Sequence, residues 1–282
     1  MNDTTIKEGR YLYCAVSIPD QKPDFSVTGV DDEPTTLIPI DDVGVVVHEC
    51  NNLYDTDEVD LLRKWLLQHQ QVVDAVGERF GTPLPFRFDT IIQGNDDRVR
   101  EWAYEEADAL SRYLDTLSGL WEYHIDVMIE DNELEAGLEE RDERLQELTT
   151  RINDSGSGDG TNFLLEKQYN QRLATLKRRR RDERARTLRN RLSDITYEIH
   201  DRDTGERSIN LTDSKGDESD RMTSQLTRLT LLAHENREKE IGDILDDVAA
   251  EPGVTVRFTG PWPPYTFTPA IGDELESEHA TD

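Results

Sequence analysis

Lysine and cysteine are scarce in this 282-residue chain, and long apolar runs are missing. Of 32 Lys+Arg residues only seven are lysine: Lys7, Lys22, Lys64, Lys167, Lys177, Lys215 and Lys239. Two cysteines rule out a disulfide framework, so Cys14 and Cys50 read as buried thiols, in two candidate strands where they are candidate neighbours. No segment approaches about 18 uninterrupted apolar residues, which excludes a membrane-spanning helix. The opening Met1-Asn2-Asp3-Thr4-Thr5 lacks the charged-then-apolar pattern of a signal peptide. His48, His69, His124, His200, His234 and His279 do not cluster, and no Cys/His ligand spacing appears. G-x-S-x-G, Walker A and G-x-G-x-x-G motifs are missing as well. Catalysis, metal and cofactor therefore have no residues to carry them, and the chain reads as non-enzymatic.

What is abundant is carboxylate. Sixty-one Asp+Glu give a net charge of −29. Carboxylates stay hydrated in concentrated salt, which screens their mutual repulsion within a few ångströms. The composition is that of a halophilic, cytosolic protein. The charge also disfavours nonspecific binding to nucleic acid or anionic membrane.

Apolar periodicity lays out an α+β chain. Tyr11–Ile18 reads as a strand stopped by Pro19, and Val43–His48 as a buried β-branched strand. Gly29–Asp32 is turn-like. Asp57 reads as the N-cap of a helix to Phe80, with Val59, Leu62, Leu66, Val73 and Val76 on its apolar face. Pro83 to Ile92 reads as a strand region. Asp96 or Asp97 starts a helix bearing Val99, Trp102, Ala103, Ala107, Leu110 and Leu114, ended by Gly119. Trp121–Ile129 alternates as a strand. This order predicts a first domain over 8–130, a ferredoxin-like sandwich with both helices on one sheet face, although 19–42 shows no clear helix between the first two strands.

Residues 131–200 read as a long helical hairpin between or within the domains. Leu134, Leu138, Leu145, Leu148 and Ile152 mark an acidic helix over 132–153. A Gly/Ser loop at 154–160 follows, then a helix from Asn162 to His200 with Leu165, Tyr169, Leu173, Leu176, Leu188, Leu192, Ile195 and Ile199 as its stripe. The loop mimics a calcium-binding spacing, but Ser155 stands where the first carboxylate belongs. From 162 to 200 eleven basic residues face five acidic ones, including the run Lys177-Arg178-Arg179-Arg180-Arg181. Facing acidic and basic helices predict intramolecular pairing across an apolar stripe. The alternatives are docking of an acidic partner, or a ferredoxin-like nucleic-acid-binding module using the basic helix 177–191, although no aromatic residues interleave with the run.

The region 201–269 reads as a C-terminal α+β region. It has a polar loop over 201–221, a strand Leu226–His234, a helix Glu235–Glu251 and a strand from Val254 to Phe258. The tail 270–282 is acidic and expected to be disordered. Gly260-Pro261-Trp262-Pro263-Pro264-Tyr265-Thr266-Phe267 forms a rigid aromatic corner, because proline fixes φ and removes backbone donors. Thr266-Phe267-Thr268 is a candidate resumption of the strand. Aromatic-rich turns of this kind are usually packing features.

The G-P-W-P-P-Y-x-F string resembles the terminal signature of the gas vesicle protein GvpF/GvpL family. Tyr11-Leu12-Tyr13 resembles the family's opening aromatic strand, and Pro85-Phe86-Arg87-Phe88 its P-L-R-F-G block, with Asp89 in place of glycine. Trp121-Glu122 to Val127 resembles the strand after the second helix. Gly160, Phe163-Leu164 and Lys167 resemble its G-x-x-Y-L-x-x-K entry to a second domain, with Phe for Tyr. The resemblance implies two α+β domains, the second a modified ferredoxin-like unit. It also implies a non-enzymatic accessory or minor structural role in gas vesicle assembly, as an adaptor in the vesicle and cytoplasm. The implied partners are the major shell protein and other accessory vesicle proteins. Gly260, Pro261, Trp262, Pro263, Pro264, Tyr265 and Phe267 become the candidate partner-binding residues. The long hairpin favours the L-type member of the family, and the composition a halophilic archaeon.

Overall fold

The computed structural model describes residues 5–18, 24–154, 159–202 and 223–268. The expected polar loop over 201–221, the acidic tail and most of the Gly/Ser loop lie largely outside these residues. The chain divides into two compact units. The first comprises Met1–Tyr123, Leu232–Glu235 and Gly260–Asp282; the second comprises His124–Leu231 and Asn236–Thr259.

The first unit is built on β1 (Thr5–Ser17), β2 (Thr36–Ile40), β3 (Val43–Asn52), β4 (Leu84–Pro85) and β5 (Ile91–Gln93). The order is β2-β3-β1-β4, with β5 also pairing with β1. Each of these pairings is antiparallel. Two helical layers cover the sheet, and both expected helices do not share one face. Helix α1 (Val59–Phe80) buries Val72, Val73 and Val76 with Tyr11, Tyr13 and Val16. Helices α2 (Asp96–Glu105) and α3 (Ala107–Leu117) bury Val99, Trp102, Leu110 and Leu114 with Leu12, Ala15 and Val45. The reason lies in β1 and β3, which are apolar on both faces, the pattern of strands covered twice.

Several boundaries correct the reading from periodicity. β2 was missed because it is short, contains Pro39 and pairs only with β3. A single turn of 3-10 helix, Val30–Asp32, stands before it. Glu58, not Asp57, precedes α1. The buried face of α1 runs through Trp65, His69, Val72, Val73 and Val76, and Val59 is exposed. Residues 86–90 form a loop inside the expected third strand, because Asp89 takes φ 63. Asn95 caps α2 by accepting from the amides of Asp97 and Arg98, and a break at Glu106 divides the expected single helix. Cys14 pairs with Val46 and Cys50 with Gly9, so the thiols are separated along the strands and both are free.

A buried polar network lies between β1 and α1. Val30 N–H donates to the Tyr13 hydroxyl at 2.7 Å, and that hydroxyl lies 2.7 Å from His48 Nδ1. His48 Nε2 lies 2.8 Å from the Tyr54 hydroxyl, so the ring bridges two tyrosines in either tautomer. His69 joins a parallel link: Asp89 N–H donates to the Tyr11 hydroxyl at 3.2 Å, and that hydroxyl lies 2.8 Å from His69 Nδ1. Burial lowers both imidazoles to about 4, leaving them neutral at pH 7.

The second unit continues β6 (Leu120–Glu130), which begins in the first. The expected acidic helix is three pieces, α4 (Asp131–Glu135), α5 (Leu138–Arg141) and α6 (Glu143–Asn153). It breaks at Gly137, with φ +68, and at Asp142, whose carboxylate caps α6 through Leu145 N–H at 3.0 Å. Helix α7 (Asp159–Ser193) starts three residues before Asn162 and stops short of His200. Residues Glu198–Asp201 form β7 instead. Ile195 N–H and Thr196 N–H both close on Leu192 O, ending the helix. Strand β8 (Thr223–His234), a short 3-10 turn, α8 (Glu238–Ala249) and β9 (Val254–Trp262) follow among the described residues. The order β7-β8-β6-β9 repeats that of the first sheet: each first strand lies between its third and fourth. Among the described residues no helix is long and apolar enough to cross a membrane.

Candidate functional site

Edge strand β9 leads into the proline-rich corner, all of whose residues from Gly260 onward belong to the first unit. Gly260 has φ +132, and a methyl group there would stand 2.8 Å from the Glu122 carbonyl oxygen and 2.8 Å from Cδ1 of Tyr123. Only glycine fits so close an approach. The strand runs through Pro261 to Trp262, which an edge position permits because the missing donor costs no central ladder bond.

Beyond Trp262 the chain turns rather than resuming a strand at Thr266–Thr268. Tyr265 N–H donates to Pro263 O at 2.8 Å, and Phe267 N–H to Pro264 O at 3.2 Å. The Thr268 hydroxyl also donates to Pro264 O at 2.7 Å. With Pro263 and Pro264 unable to donate, these local bonds satisfy their carbonyls and curl the chain. The buried Glu122 carboxylate then fixes the turn, accepting from Thr266 N–H and from the Thr266 hydroxyl, each at 2.8 Å.

Apart from Gly260, the signature residues thus separate into two groups. Pro263 and Pro264 are buried, and Phe267 packs against the cluster containing Leu12, Leu114 and Leu120. The Tyr265 ring lies 6.5 Å from His69, and burial raises its hydroxyl well above the ordinary phenol value, reinforced by Cys14, Asp74 and Glu122. Pro261 and Trp262 are exposed, Trp262 at 36%. The inward group holds the corner; the outward group presents an indole and a proline to solvent.

The basic run lies on α7, in the second unit, far from the corner in sequence. Lys177 Nζ lies 2.7 Å from Glu135 and 3.3 Å from Asp131, and Arg180 donates to the carbonyls of Leu134 and Ala136, at 3.3 and 2.7 Å. Arg179 pairs with Glu183 on its own helix at 3.1 Å. One turn earlier Arg172 holds Asp142 at 2.6 Å. Arg181 is half-buried and Arg178 exposed. Partners in the carboxylates and carbonyls of α4 and α6 occupy much of this charge. Leu134, Leu145, Leu148 and Leu165 are buried, while Phe163 and Leu164 near the start of α7 are exposed.

Two important side chains escaped the sequence reading. Glu122 entered only within the Trp121-Glu122 to Val127 resemblance, with no role assigned, because one carboxylate among 61 is uninformative. Arg10 is buried, with Nε 2.6 Å from Asp96 and a second nitrogen 3.3 Å from Glu49. It directly precedes the apolar run from Tyr11 and stands near Lys7 and Glu8, so nothing in the sequence marked it as buried.

A family model described as "Gas vesicle synthesis protein GvpL/GvpF" matches residues 9–269. Gas vesicle protein L1 of Halobacterium salinarum is 41% identical over 271 residues, which cover 96% of this chain and 94% of that protein. Gas vesicle protein L2 of the same organism is 42% identical over 270 residues, 94% of this chain and 93% of that protein. Gas vesicle protein L of Haloferax mediterranei is 37% identical over 299 residues, 96% and 90% of the two chains. Two solved structures share the fold. GvpF from Anabaena superposes with a TM-score of 0.71 at 17% identity, covering 93% of this chain and 98% of that one. GvpF from Microcystis aeruginosa gives 0.63 at 18% identity, covering 92% and 98%.

Proposed function

From the premise that this chain belongs to the gas vesicle GvpL/GvpF family, we propose that it is a non-enzymatic accessory protein of gas vesicle assembly. It binds the major shell protein and other accessory vesicle proteins as an adaptor, and works in the cytoplasm and at the vesicle. The observation that carries this reading is the division of the family signature. Pro263, Pro264, Tyr265 and Phe267 are anchored inward, while Pro261 and Trp262 stand outward on an edge strand. An exposed tryptophan on an immobilised corner is a suitable apolar anchor, because ordering costs little on binding.

The repeated strand order supports a second proposal, that each sheet is a ferredoxin-like variant. In the first, the described residues of the crossover between β1 and β2 hold a 3-10 turn; in the second, helices α4 to α7 occupy the corresponding crossover.

The test is a pull-down in molar salt with the major shell protein and the accessory vesicle proteins. Wild type should capture them, and Trp262→Ala should weaken capture while retaining the fold. Apolar docking persists or strengthens as salt rises, whereas phosphate binding by the basic helix would collapse. Loss of capture at high salt, with nucleic acid retained at low salt, would overturn the adaptor reading.

A further inference from the structure

The first unit contains a cavity of about 660 Å³ beside the corner. Asp74, Glu78, Phe80, Trp121, Glu235 and Pro261 line it, and no lysine, arginine or histidine does so among the described residues. Trp121 is seated against helix α1 at Gly77, where a methyl group would come within 2.9 Å of the ring.

Three features give this cavity a negative character. It is lined by three carboxylates. Asp74 and Glu78 lie one turn apart on α1, and like charges at that spacing repel. Burial raises the Asp74 carboxyl, Glu78 raises it further, and a hydrogen bond from Gln70 only partly compensates. The last turns of two helices also open here: Phe80 and Gly81 end α1, and Leu114 and Ser118 lie at the end of α3. Helix C-termini carry carbonyls without intrahelical donors and the negative end of the macrodipole. The buried Thr82 hydroxyl, also in the lining, has no hydrogen-bond partner among the described residues.

The guest is therefore a cation, and its size follows from the geometry. Among the described residues no group of three or more His, Cys, Asp or Glu side chains is placed to hold a metal ion. The lining instead joins aromatic rings to separated carboxylates, which suits a planar guanidinium that stacks on indole and accepts bidentate pairing. Free arginine would add its own carboxylate to an acidic cavity; an arginine within a polypeptide would not. The acidic residues 270–282 of this chain have the wrong charge to fill it.

We propose that this cavity receives an arginine side chain carried by a partner polypeptide, which rests on the reading that the chain works by binding other proteins. The full-length, isotope-labelled chain is titrated in molar KCl with an acetylated and amidated Gly-Arg-Gly peptide, its citrulline counterpart and free arginine. Saturable NMR shifts are expected at the Trp121 indole and the Gly77, Gly81 and Gly119 amides. The arginine peptide should bind about tenfold or more tightly than the other two. Asp74→Asn with Glu78→Gln should remove that preference without changing the circular dichroism. Glu235→Gln, at an exposed position, provides the same test should the helical pair perturb folding. Equal response to citrulline, shifts located elsewhere, or no saturable shift would overturn the site. Capture of vesicle proteins by wild type without an arginine response would overturn the site and leave the adaptor reading standing. An arginine response without capture would support the site and remove the adaptor reading.

Discussion

Glu122 and Thr266 are joined twice: the carboxylate of one accepts from both the amide and the hydroxyl of the other, at 2.8 Å each. The two residues are 144 positions apart in the chain. Hydrogen bonds to a buried charged group contribute about 1.5–3 kcal/mol each. Glu122→Ala is therefore expected to destabilise the first unit by about 2–3 kcal/mol, and Thr266→Val by less, because the amide bond remains. Chemical denaturation followed by tryptophan fluorescence checks both. A Glu122→Ala variant as stable as wild type would contradict this account of the corner.

Gly260→Ala should be more damaging than an ordinary strand glycine substitution. The new methyl group would meet the Glu122 carbonyl at 2.8 Å, in a backbone conformation with φ +132. Strain at such a position costs about 1–3 kcal/mol. A thermal melt should place the variant well below wild type, whereas Gly242→Ala, with open space around it on α8, should equal or exceed wild type.

Acid should act through His48 and His69. Their folded values of about 4 lie below the ordinary 6.5. The unfolded chain therefore binds protons first, and stability falls as pH drops from about 6.5 towards 4, where the native rings begin to protonate. Each ring contributes on the order of 2–3 kcal/mol to that fall. His69→Gln should flatten the dependence across this window, measured by denaturation at a series of pH values and constant salt. An unchanged slope would show that other groups carry it.

In the helical hairpin the leucines should outweigh the ion pairs. Leu148→Ala removes a buried side chain and is expected to cost about 2–4 kcal/mol. Arg172→Ala breaks the pair with Asp142 and should cost much less, and that smaller cost should vanish in molar salt while the leucine cost remains. Comparing both variants at two salt concentrations tests the ranking.

Where apolar spacing was long and regular, the sequence was readable. Strands at Tyr11, Val43, Trp121, Leu226 and Val254, and helices ending at Phe80 and starting near Asp96, were all identifiable from it. Local competition defeated the rest. Pro39 disguised β2, and β7 was absorbed into a helix because Ile195 and Ile199 continue a four-residue spacing past the end of α7. Gly137 and Asp142 broke a helix that its leucines alone made continuous. At the corner, composition announced rigidity but not orientation. Which aromatics turn inward depends on Glu122, and a carboxylate that meets its partner across so much chain leaves no periodic trace.

The membership of the first unit has a bearing on how the protein is made. Its sheet and helices are encoded in the first 123 residues, but Leu232–Glu235 and Gly260 onward also belong to it. Tyr265 and Phe267, which pack into that unit, are among the last described residues to leave the ribosome. A nascent chain therefore carries an open seam in its first unit until Tyr265 and Phe267 have emerged. Termination anywhere before Thr266 would remove both of its bonds to the Glu122 carboxylate, and with them the tie that fixes the corner.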